Sequence, residues 1–423
     1  MHSDAPASRA HLEQRQLENL QLLLAELRPS NRFYSAKLPA AAFGSLAEFF
    51  DQTPFTTKHE LALDQEANPP FGSNLTYPPD RYSRFSQTSG TSGKPMRWLD
   101  TAESWDWMVG NWTRVYESAG VTGSDRVFFA FSFGPFLGFW VAFDAASRMG
   151  CLCMPGGGMP TVARLSAMID TSATVLCCTP TYAIHLAEVA VREGIDLSRS
   201  RVRYIIVAGE PGGSIPATRQ KIEELWHGAR VVDHHGMTEV GPVSYGCRAR
   251  TDVLHIIESS YIAEVIEPDT GRAVPRGTRG ELVLTNLGRP GSPLLRYRTG
   301  DIVVAAPEER CACGSLDLAL PGGILGRADD MVVVRGVNVY PGAIEEVLRS
   351  AGGVAEYRVR VSSQLGLAEL SIEVEQEAGA DPGLAHRIEA KLRDALSLRI
   401  PVVVAAEGAL PRFEMKARRW IRE

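Results

Sequence analysis

The sequence lacks a basic excess, a long unbroken hydrophobic run and an even set of cysteines. Its formal net charge is −6, which argues against general nucleic-acid binding because that function needs a basic face. The most apolar stretch, residues 127–143, is shorter than the about 20 residues that span a bilayer. It is also interrupted by Gly134-Pro135. We therefore expect neither a nucleic-acid nor a membrane partner.

The N-terminal residues and the cysteines bear on location. No basic segment followed by an apolar core opens the sequence, so we expect no secretory signal. Seven cysteines are an odd number in a long chain, which argues against a disulfide scaffold and favours the cytoplasm. The length of 423 residues predicts two or three domains, and a monomer and a homodimer both stay open.

The pattern of apolar residues changes along the chain. From about residue 80 to 300, β-rich runs such as 202–208 alternate with helical patterns, which is typical of an α/β fold with buried strands. The tail differs: residues 331–339 predict the first strand of a small β-α-β-β-α-β domain.

The boundary between these two patterns is predicted at Gly326–Asp330, which is glycine-rich before and charged within. The sequence therefore predicts a large N-terminal domain over 1–328 and a small C-terminal domain over 329–423.

The most informative local stretch runs from Ser86 to Pro95, where hydroxyls and glycines alternate and Lys94 closes the run. Such a loop wraps backbone N–H groups around phosphate oxygens, with the lysine as a counter-charge. It is not the loop of P-loop NTPases, because its glycines lie three apart and a proline follows the lysine. Alone, it is equally compatible with a flexible turn.

Further motifs follow in a fixed order, and together they closely resemble the adenylate-forming superfamily of acyl-CoA synthetases, adenylation domains and luciferases. The resemblance runs from about Phe33 to the end. Within the superfamily the chain looks most like the phenylacetate–CoA ligase group, on Pro54–Lys58 and Gly209–Gly212, with a benzoate- or anthranilate-type ligase as one form of it. The motifs are Gly236-Met237-Thr238-Glu239, Tyr297-Arg298-Thr299-Gly300-Asp301, Gly326–Asp330, Gly336–Pro341 and Lys416.

This resemblance implies a multi-sheet α/β N-terminal domain and a small mobile α+β C-terminal domain. It also implies that ATP and Mg²⁺ activate a carboxylic acid as acyl-AMP and that coenzyme A then takes the acyl group. A carrier protein or an amine as the acceptor stays open. So does a nucleotide-binding regulator, although intact Lys94, Glu239, Asp301 and Lys416 argue against an inactive copy.

The resemblance also assigns roles to single residues. Thr238 would bond the α-phosphate, Glu239 would bind Mg²⁺, Asp301 would accept both ribose hydroxyls, and Arg327 would add a positive fork. Lys416 would bridge the substrate carboxylate and the α-phosphate as the catalytic lysine. Residues expected to hold the phosphates are Thr88, Ser89, Gly90, Thr91, Ser92, Gly93 and Lys94; those expected around the adenine are Glu210, Pro211, His234, His235 and Gly236.

Two residues near the start of the predicted C-terminal domain match positions that the family uses in its domain rotation. Asp329 would be the hinge at which the small domain rotates after adenylation. Gly336 would then leave room for the thiol arm of coenzyme A.

The acid pocket is expected beside the aromatic-rich segment, where no Lys or Arg occurs between Phe128 and Phe143. Phenylalanine rings with a glycine gap suit a flat ring, so a small aryl acid is expected. Core packing is the alternative for these aromatic residues. The candidates are Phe131, Phe133, Gly134, Phe136, Ala208, Gly209, Gly236, Met237 and Pro242.

A structural zinc site is predicted from Cys247, His255, Cys311 and Cys313. Three thiols and one imidazole complete a tetrahedral zinc site and leave no position for water. The spacing alone is weakly specific, but proteins like phenylacetate–CoA ligase often carry a Cys…His pair and a Cys-x-Cys-Gly here. Free cysteines and a solvated histidine remain the alternative.

Overall fold

A computed structural model describes residues 8–39, 42–88, 94–335, 337–364, 367–413 and 417–422. Within these residues the helices are α1 Arg9–Leu27, α2 Arg32–Ser35, α3 Leu46–Gln52, α4 Lys58–Ala67, α5 Ala102–Ala119, α6 Leu137–Arg148, α7 Thr161–Asp170, α8 Pro180–Arg192, α9 Pro216–Leu225, α10 Pro341–Ala351 and α11 Leu384–Leu396.

The strands are β1 Tyr82–Gln87, β2 Arg97–Thr101, β3 Arg126–Phe129, β4 Leu152–Pro155, β5 Val175–Cys178, β6 Tyr204–Val207, β7 Arg230–Asp233, β8 Gly236–Met237, β9 Gly241–Pro242, β10 Ser244–Gly246, β11 Val253–Ile256, β12 Tyr261–Ile266, β13 Arg279–Asn286, β14 Tyr297–Val304, β15 Ala319–Pro321, β16 Gly326–Arg327, β17 Val332–Val334, β18 Val337–Val339, β19 Val354–Gln364, β20 Leu367–Gln376, β21 Val402–Ala405 and β22 Trp420–Arg422.

The chain forms two compact units, each built from two segments. The first unit comprises residues 1–157 and 234–323, and the second comprises 158–233 and 324–423. The domain boundary after residue 328 stays a prediction. Within the described ranges, every helix is too short or too polar to cross a bilayer.

The first unit is organised around short sheets and helix α5. Strands β1 and β2 pair antiparallel, with Gln87 opposite Arg97. Helix α5 begins where the Thr101 hydroxyl accepts from the Ser104 N–H, and it ends at Gly120 with φ +90°. A side-chain cap and a left-handed glycine are the expected helix signals. Strands β12, β13 and β14 form a further antiparallel sheet.

The second unit contains the parallel strands β5, β6 and β7, with Val175 opposite Tyr204 and Tyr204 opposite Arg230. Strand β6 confirms the strand predicted over 202–208. The residues of β5 are all buried, as expected for parallel strands covered on both faces. Helix α8 begins with Pro180 behind a Thr179 cap. The alternation confirms the predicted α/β class.

The C-terminal part of the second unit is an α+β layer, and here one prediction is wrong. The sheet runs in the order β21-β20-β19-β22, whereas residues 331–339 form a separate antiparallel hairpin, β17 with β18. The chain turns at Arg335, which has φ +51°, so these residues cannot continue as one strand. Strand β22, which the sequence analysis missed, pairs parallel with β19.

Candidate functional site

The predicted phosphate loop lies in the β1–β2 hairpin of the first unit. The Thr88 N–H donates to the Met96 carbonyl at 2.9 Å, and the Thr88 hydroxyl accepts from the Met96 N–H at 3.0 Å, so both ends of the loop are fixed. Lys94 is 89% exposed and lies 3.4 Å from the Glu66 carboxylate. Ser89, Gly90, Thr91, Ser92 and Gly93 lie outside the described residues.

The Thr238-Glu239 turn of the first unit is held by a buried arginine. The Arg289 guanidinium donates to the Thr238 carbonyl at 2.9 Å and to the Glu239 carbonyl at 2.7 Å. The same group binds the Asp100 carboxylate through two hydrogen bonds of 2.6 and 2.8 Å. Both side chains of this ion pair are 0% exposed. Because Asp100 belongs to β2, this pair ties the turn to the strand that follows the phosphate loop.

The Glu239 side chain has a cationic neighbour. Lys58 Nζ lies 3.2 Å from Glu239 Oε1, and the Glu239 side chain is 7% exposed. Lys58 is the first residue of α4, after a Thr57 cap. A buried carboxylate that contacts one partly exposed ammonium keeps lone pairs for a hard cation.

Two adjacent histidines follow β7 and differ in role. His234 Nδ1 lies 2.7 Å from the Ser244 carbonyl, and its ring centroid is 4.2 Å from that of Trp112. Burial lowers the pKa of His234 to about 3, although the Ser244 carbonyl opposes this effect, so the ring is neutral near pH 7. The His235 ring contacts Asp301, with Nε2 2.9 Å from Oδ2.

The second ring nitrogen of His235, Nδ1, is buried and has no hydrogen-bond partner among the described residues. When Nε2 carries the proton toward Asp301, Nδ1 is an acceptor. A buried acceptor without a donor is costly unless a ligand supplies one.

The aromatic-rich segment of the first unit forms one cluster of rings. Phe131 is 5% exposed, and its ring centroid lies 5.7 Å from that of Phe133. Phe133 meets Trp140 edge-on at 4.9 Å. A Cβ on Gly134 would come within 2.9 Å of the Phe136 ring, so the glycine permits that ring position. Phe131 therefore packs in the core, while Phe133 and Phe136 keep partial exposure.

The other predicted pocket residues divide between the units. In the first unit, Gly236 pairs with Pro242 and Met237 with Gly241 in the β8–β9 ladder. In the second, the Ala208 N–H donates to the Cys178 carbonyl at 3.2 Å.

The Gly209–Gly212 turn of the second unit is glycine-dependent, and Pro211 within it is exposed. Gly209 has φ +95°. A Cβ on Gly212 would approach Pro180 to 2.5 Å, which leaves no space for a side chain. The Glu210 carboxylate accepts from two backbone N–H groups, those of Thr181 at 2.9 Å and Ala417 at 2.8 Å.

The remaining predicted residues belong to the second unit. Arg327 Nε donates to Asp329 Oδ1 at 2.9 Å, and the Asp329 side chain is 64% exposed. Gly336 and Lys416 lie outside the described residues.

The four predicted zinc ligands converge in the first unit. Their ligand atoms all lie within 4.8 Å of one another, although they come from three separate segments. Cys313 Sγ lies 3.4 Å from His255 Nε2, and Cys247 Sγ lies 3.8 Å from Cys311 Sγ. His255 Nδ1 lies 3.0 Å from the Asp317 carbonyl. That contact places the proton on Nδ1 and leaves Nε2 as the ligand atom, which is the usual arrangement of a metal-bound histidine.

Two residues that hold the Thr238-Glu239 turn, Asp100 and Arg289, were missed by the sequence analysis. Their partners lie far away along the chain, 189 residues in the case of Arg289 and Asp100. Lys58 was quoted as part of a motif, but its contact with Glu239 was not foreseen.

Comparison with known proteins gives matches over nearly the whole chain. The family model for AMP-binding enzymes matches residues 45–288, and that for the AMP-binding enzyme C-terminal domain matches 336–423. The phenylacetate-coenzyme A ligase of Thermus thermophilus is 31% identical over 433 residues, covering 96% of this chain and 95% of that protein. The enzyme of the same name from Escherichia coli is 28% identical, covering 97% and 94%.

A solved structure is also similar. The crystal structure of 2-hydroxyisobutyryl-CoA ligase, in the postadenylation state in complex with R3-HIB-AMP, has a TM-score of 0.92 and 28% identity. The match covers 99% of this chain and 91% of that one. The similarity confirms the expected architecture of a large N-terminal and a small C-terminal domain.

Proposed function

The chain belongs to the adenylate-forming AMP-binding enzymes, and from this premise we propose that it converts an aromatic carboxylic acid into its acyl-AMP and then into its coenzyme A thioester. The observation that best supports this proposal is the arrangement of charged and polar residues in the first unit. Arg289 fixes the carbonyls of the Thr238-Glu239 turn, which carries the buried Glu239 carboxylate, and the ring of His235, which precedes that turn, contacts the Asp301 carboxylate. The hairpin loop beside Thr88 belongs to the same unit.

The residues of this unit fit a nucleotide. The Asp301 carboxylate would accept the ribose hydroxyls, and the His235 ring, which contacts Asp301, would help to frame the adenine. Thr238 would bond the α-phosphate, and Lys94 would neutralise the outer phosphates. Pyrophosphate leaves as the substrate carboxylate attacks the α-phosphorus, and Lys416 would stabilise the charge that builds there.

Magnesium is proposed at Glu239. Its buried carboxylate supplies the hard oxygen ligand that Mg²⁺ prefers, and the bound ion would neutralise phosphate charge. Lys58, now 3.2 Å away, would shift from Glu239 toward the phosphate oxygens.

The substrate class is inferred from the aromatic cluster. Phe133 and Phe136 offer ring faces, and residues 128–143 contain no basic side chain for a second carboxylate. The relatives point two ways, since their names specify phenylacetate in one case and 2-hydroxyisobutyrate in another. Ring–ring contacts favour the aryl acid.

The test is a substrate panel assayed for pyrophosphate and for thioester. We expect phenylacetate or a benzoate to exceed 2-hydroxyisobutyrate by at least about tenfold in kcat/KM, as a filled aromatic pocket implies. Coenzyme A should be the acceptor, with AMP released. A preference for 2-hydroxyisobutyrate would refute the aromatic assignment, and acylation of a carrier protein or an amine instead of coenzyme A would refute the thioester step.

Structural zinc is proposed at Cys247, His255, Cys311 and Cys313. The donor set and the Asp317 contact fit the metal, which would join β10, β11 and the loop after β14. We expect about one equivalent of zinc in purified protein, less than half of it in Cys311→Ser, and no loss in Cys153→Ser. A wild-type content under half an equivalent in undamaged protein would contradict the site.

We also propose a hinge at Asp329 and a cytoplasmic location. Rotation about Asp329 would separate the two half-reactions, so Asp329→Pro should spare adenylate formation and block thioester formation. A cytoplasmic location rests on the odd number of cysteines, which are all free thiols in the structure.

A further inference from the structure

A single carboxylate in the second unit joins two separate chain segments through their backbones. Glu210 Oε1 accepts from the Thr181 N–H at 2.9 Å, and Oε2 accepts from the Ala417 N–H at 2.8 Å. Thr181 lies in the first turn of α8, where N–H groups have no partner within the helix and favour a negative charge. Glu210 therefore caps the helix with one oxygen and holds Ala417 with the other.

An arginine two residues further along makes a second link to the same helix. Arg419 Nη1 donates to the Thr181 hydroxyl at 3.2 Å. Its Nε and Nη2 donate to the Glu356 carboxylate at 2.6 and 3.1 Å. Arg419 is 9% exposed and Glu356 is 3% exposed, so this bidentate pair is shielded from water. Thr181 thus contacts the segment directly through its hydroxyl, and its backbone N–H is linked to the segment through Glu210.

The contact between α8 and this segment is polar and incompletely filled. A small cavity of about 10 Å³ is lined by Thr181, Glu188, Arg412, Arg419 and other residues. By contrast, the sheet of the C-terminal part packs on a continuous apolar core, with Val359 and Ile372 both 0% exposed. An apolar core resists separation, whereas a polar contact around a cavity can be made and broken without exposing much apolar surface.

We propose that Glu210 and Arg419 are positioning residues that dock the segment 417–422 on α8 and so prepare the adenylation step. The inference rests on the proposed function, in which Lys416, the residue directly before Ala417, acts on the α-phosphate. The same contacts must be absent during thioester formation if that step uses another orientation of the C-terminal part. Glu210 thus acts on one half-reaction, without touching the reacting atoms.

The two half-reactions separate this role from a purely structural one. In Glu210→Gln the amide oxygen still accepts one N–H, but the amide nitrogen cannot accept the second. We expect kcat for pyrophosphate release to fall at least about tenfold, as expected for a lost hydrogen bond to a charged group. The KM for ATP should stay unchanged, and thioester formation from supplied acyl-adenylate and coenzyme A should stay at the wild-type rate or rise.

Arg419→Lys tests the second link and does not involve any residue assigned to ATP. The ammonium keeps the charge but cannot form the bidentate pair with Glu356. We expect the same split between half-reactions, and a double variant with Glu210→Gln that is less impaired than the product of the two single effects. A matched control is Glu224→Gln, an exposed glutamate on α9, for which both half-reactions should match wild type.

The hydrogen-exchange rates of the backbone amides of residues 417–422 give a test that does not require the acid substrate to be known. Glu210→Gln should raise the exchange rate of this segment at least about tenfold, while Glu224→Gln should not. Unchanged exchange, or equal losses in both half-reactions, would overturn the proposal. So would a raised KM for ATP with normal kcat, since that result would place Glu210 at the nucleotide. If the wild type forms no adenylate from any acid, the proposed function fails, and the exchange result still decides whether the dock exists.

Discussion

Two arginine-centred contacts, one in each unit, hold segments on which the proposed reaction depends, and they hold them differently. In the first unit, Arg289 and Asp100 are both 0% exposed and fix two carbonyls of the Thr238-Glu239 turn. In the second, Arg419 reaches α8 through one side-chain hydroxyl beside a polar cavity. The first contact is fully buried, whereas the second is the one that we propose opens between the two half-reactions.

This difference in burial indicates which part of the molecule is expected to keep its contacts throughout the reaction. A fully buried ion pair cannot be broken without leaving an uncompensated charge, so the turn that it holds is constant. Hydrogen bonds from a carboxylate to backbone N–H groups are exchanged for water at lower cost. The nucleotide contacts of the first unit are thus expected to be constant, while the segment after residue 416 is expected to change its contacts.

The largest effect is expected at the enclosed contact. Asp100→Asn removes the negative charge and leaves the Arg289 guanidinium buried and unpaired. We expect the free energy of unfolding to fall by about 3–5 kcal/mol, measured by denaturant titration with comparison of midpoints. A loss below about 1 kcal/mol would mean that the pair is not sealed from water.

A double variant, Asp100→Asn with Arg289→Met, serves as its control. Removing both charges should be less costly than the single change, because no uncompensated charge remains. Adenylate formation should still be impaired in the double variant, since the carbonyls of Thr238 and Glu239 lose their donor. Recovery of both stability and activity would show that the turn does not need this clamp.

An intermediate effect is expected from pH at the neighbouring His234. Burial lowers its pKa from 6.5 to about 3, so the folded state excludes a proton that the unfolded chain binds below pH 6.5. The stabilisation is complete above pH 6.5 and is lost, by about 1.4 kcal/mol per pH unit, as the pH falls toward 3. His234→Gln should remove this component of the slope.

The sequence predicted features that leave a local pattern. Strand β6 lies within the predicted run 202–208, and the α/β class is confirmed. Cys247, His255, Cys311 and Cys313 were grouped in advance because the residue types and a family resemblance pointed to one chemistry. Their ligand atoms do converge.

What the sequence could not show depends on contacts between distant residues. Asp100 and Arg289 are ordinary charged residues until folding brings them together. Strand β22 has three residues, too few for an alternating pattern, and it pairs with β19. Glu210, expected beside the adenine, is placed on two backbone N–H groups, a role that has no signature in residue type. The assignments to 89–93 and to Lys416 stay predictions.

The smallest effect is expected at an ion pair that matches the enclosed one in distance. Arg148 Nη2 lies 2.6 Å from Asp106 Oδ1, the same separation as between Arg289 Nε and Asp100 Oδ1, but the two side chains are 52% and 57% exposed. Water screens these charges and solvates either one when its partner is removed, so Asp106→Asn should change the free energy of unfolding by at most about 1 kcal/mol. Denaturant titration of this variant is compared with that of Asp100→Asn. The substitution is the same in both variants, and only the burial of the ion pair differs. Equal losses in the two variants would show that contact distance, rather than exclusion of water, makes the Arg289 clamp permanent.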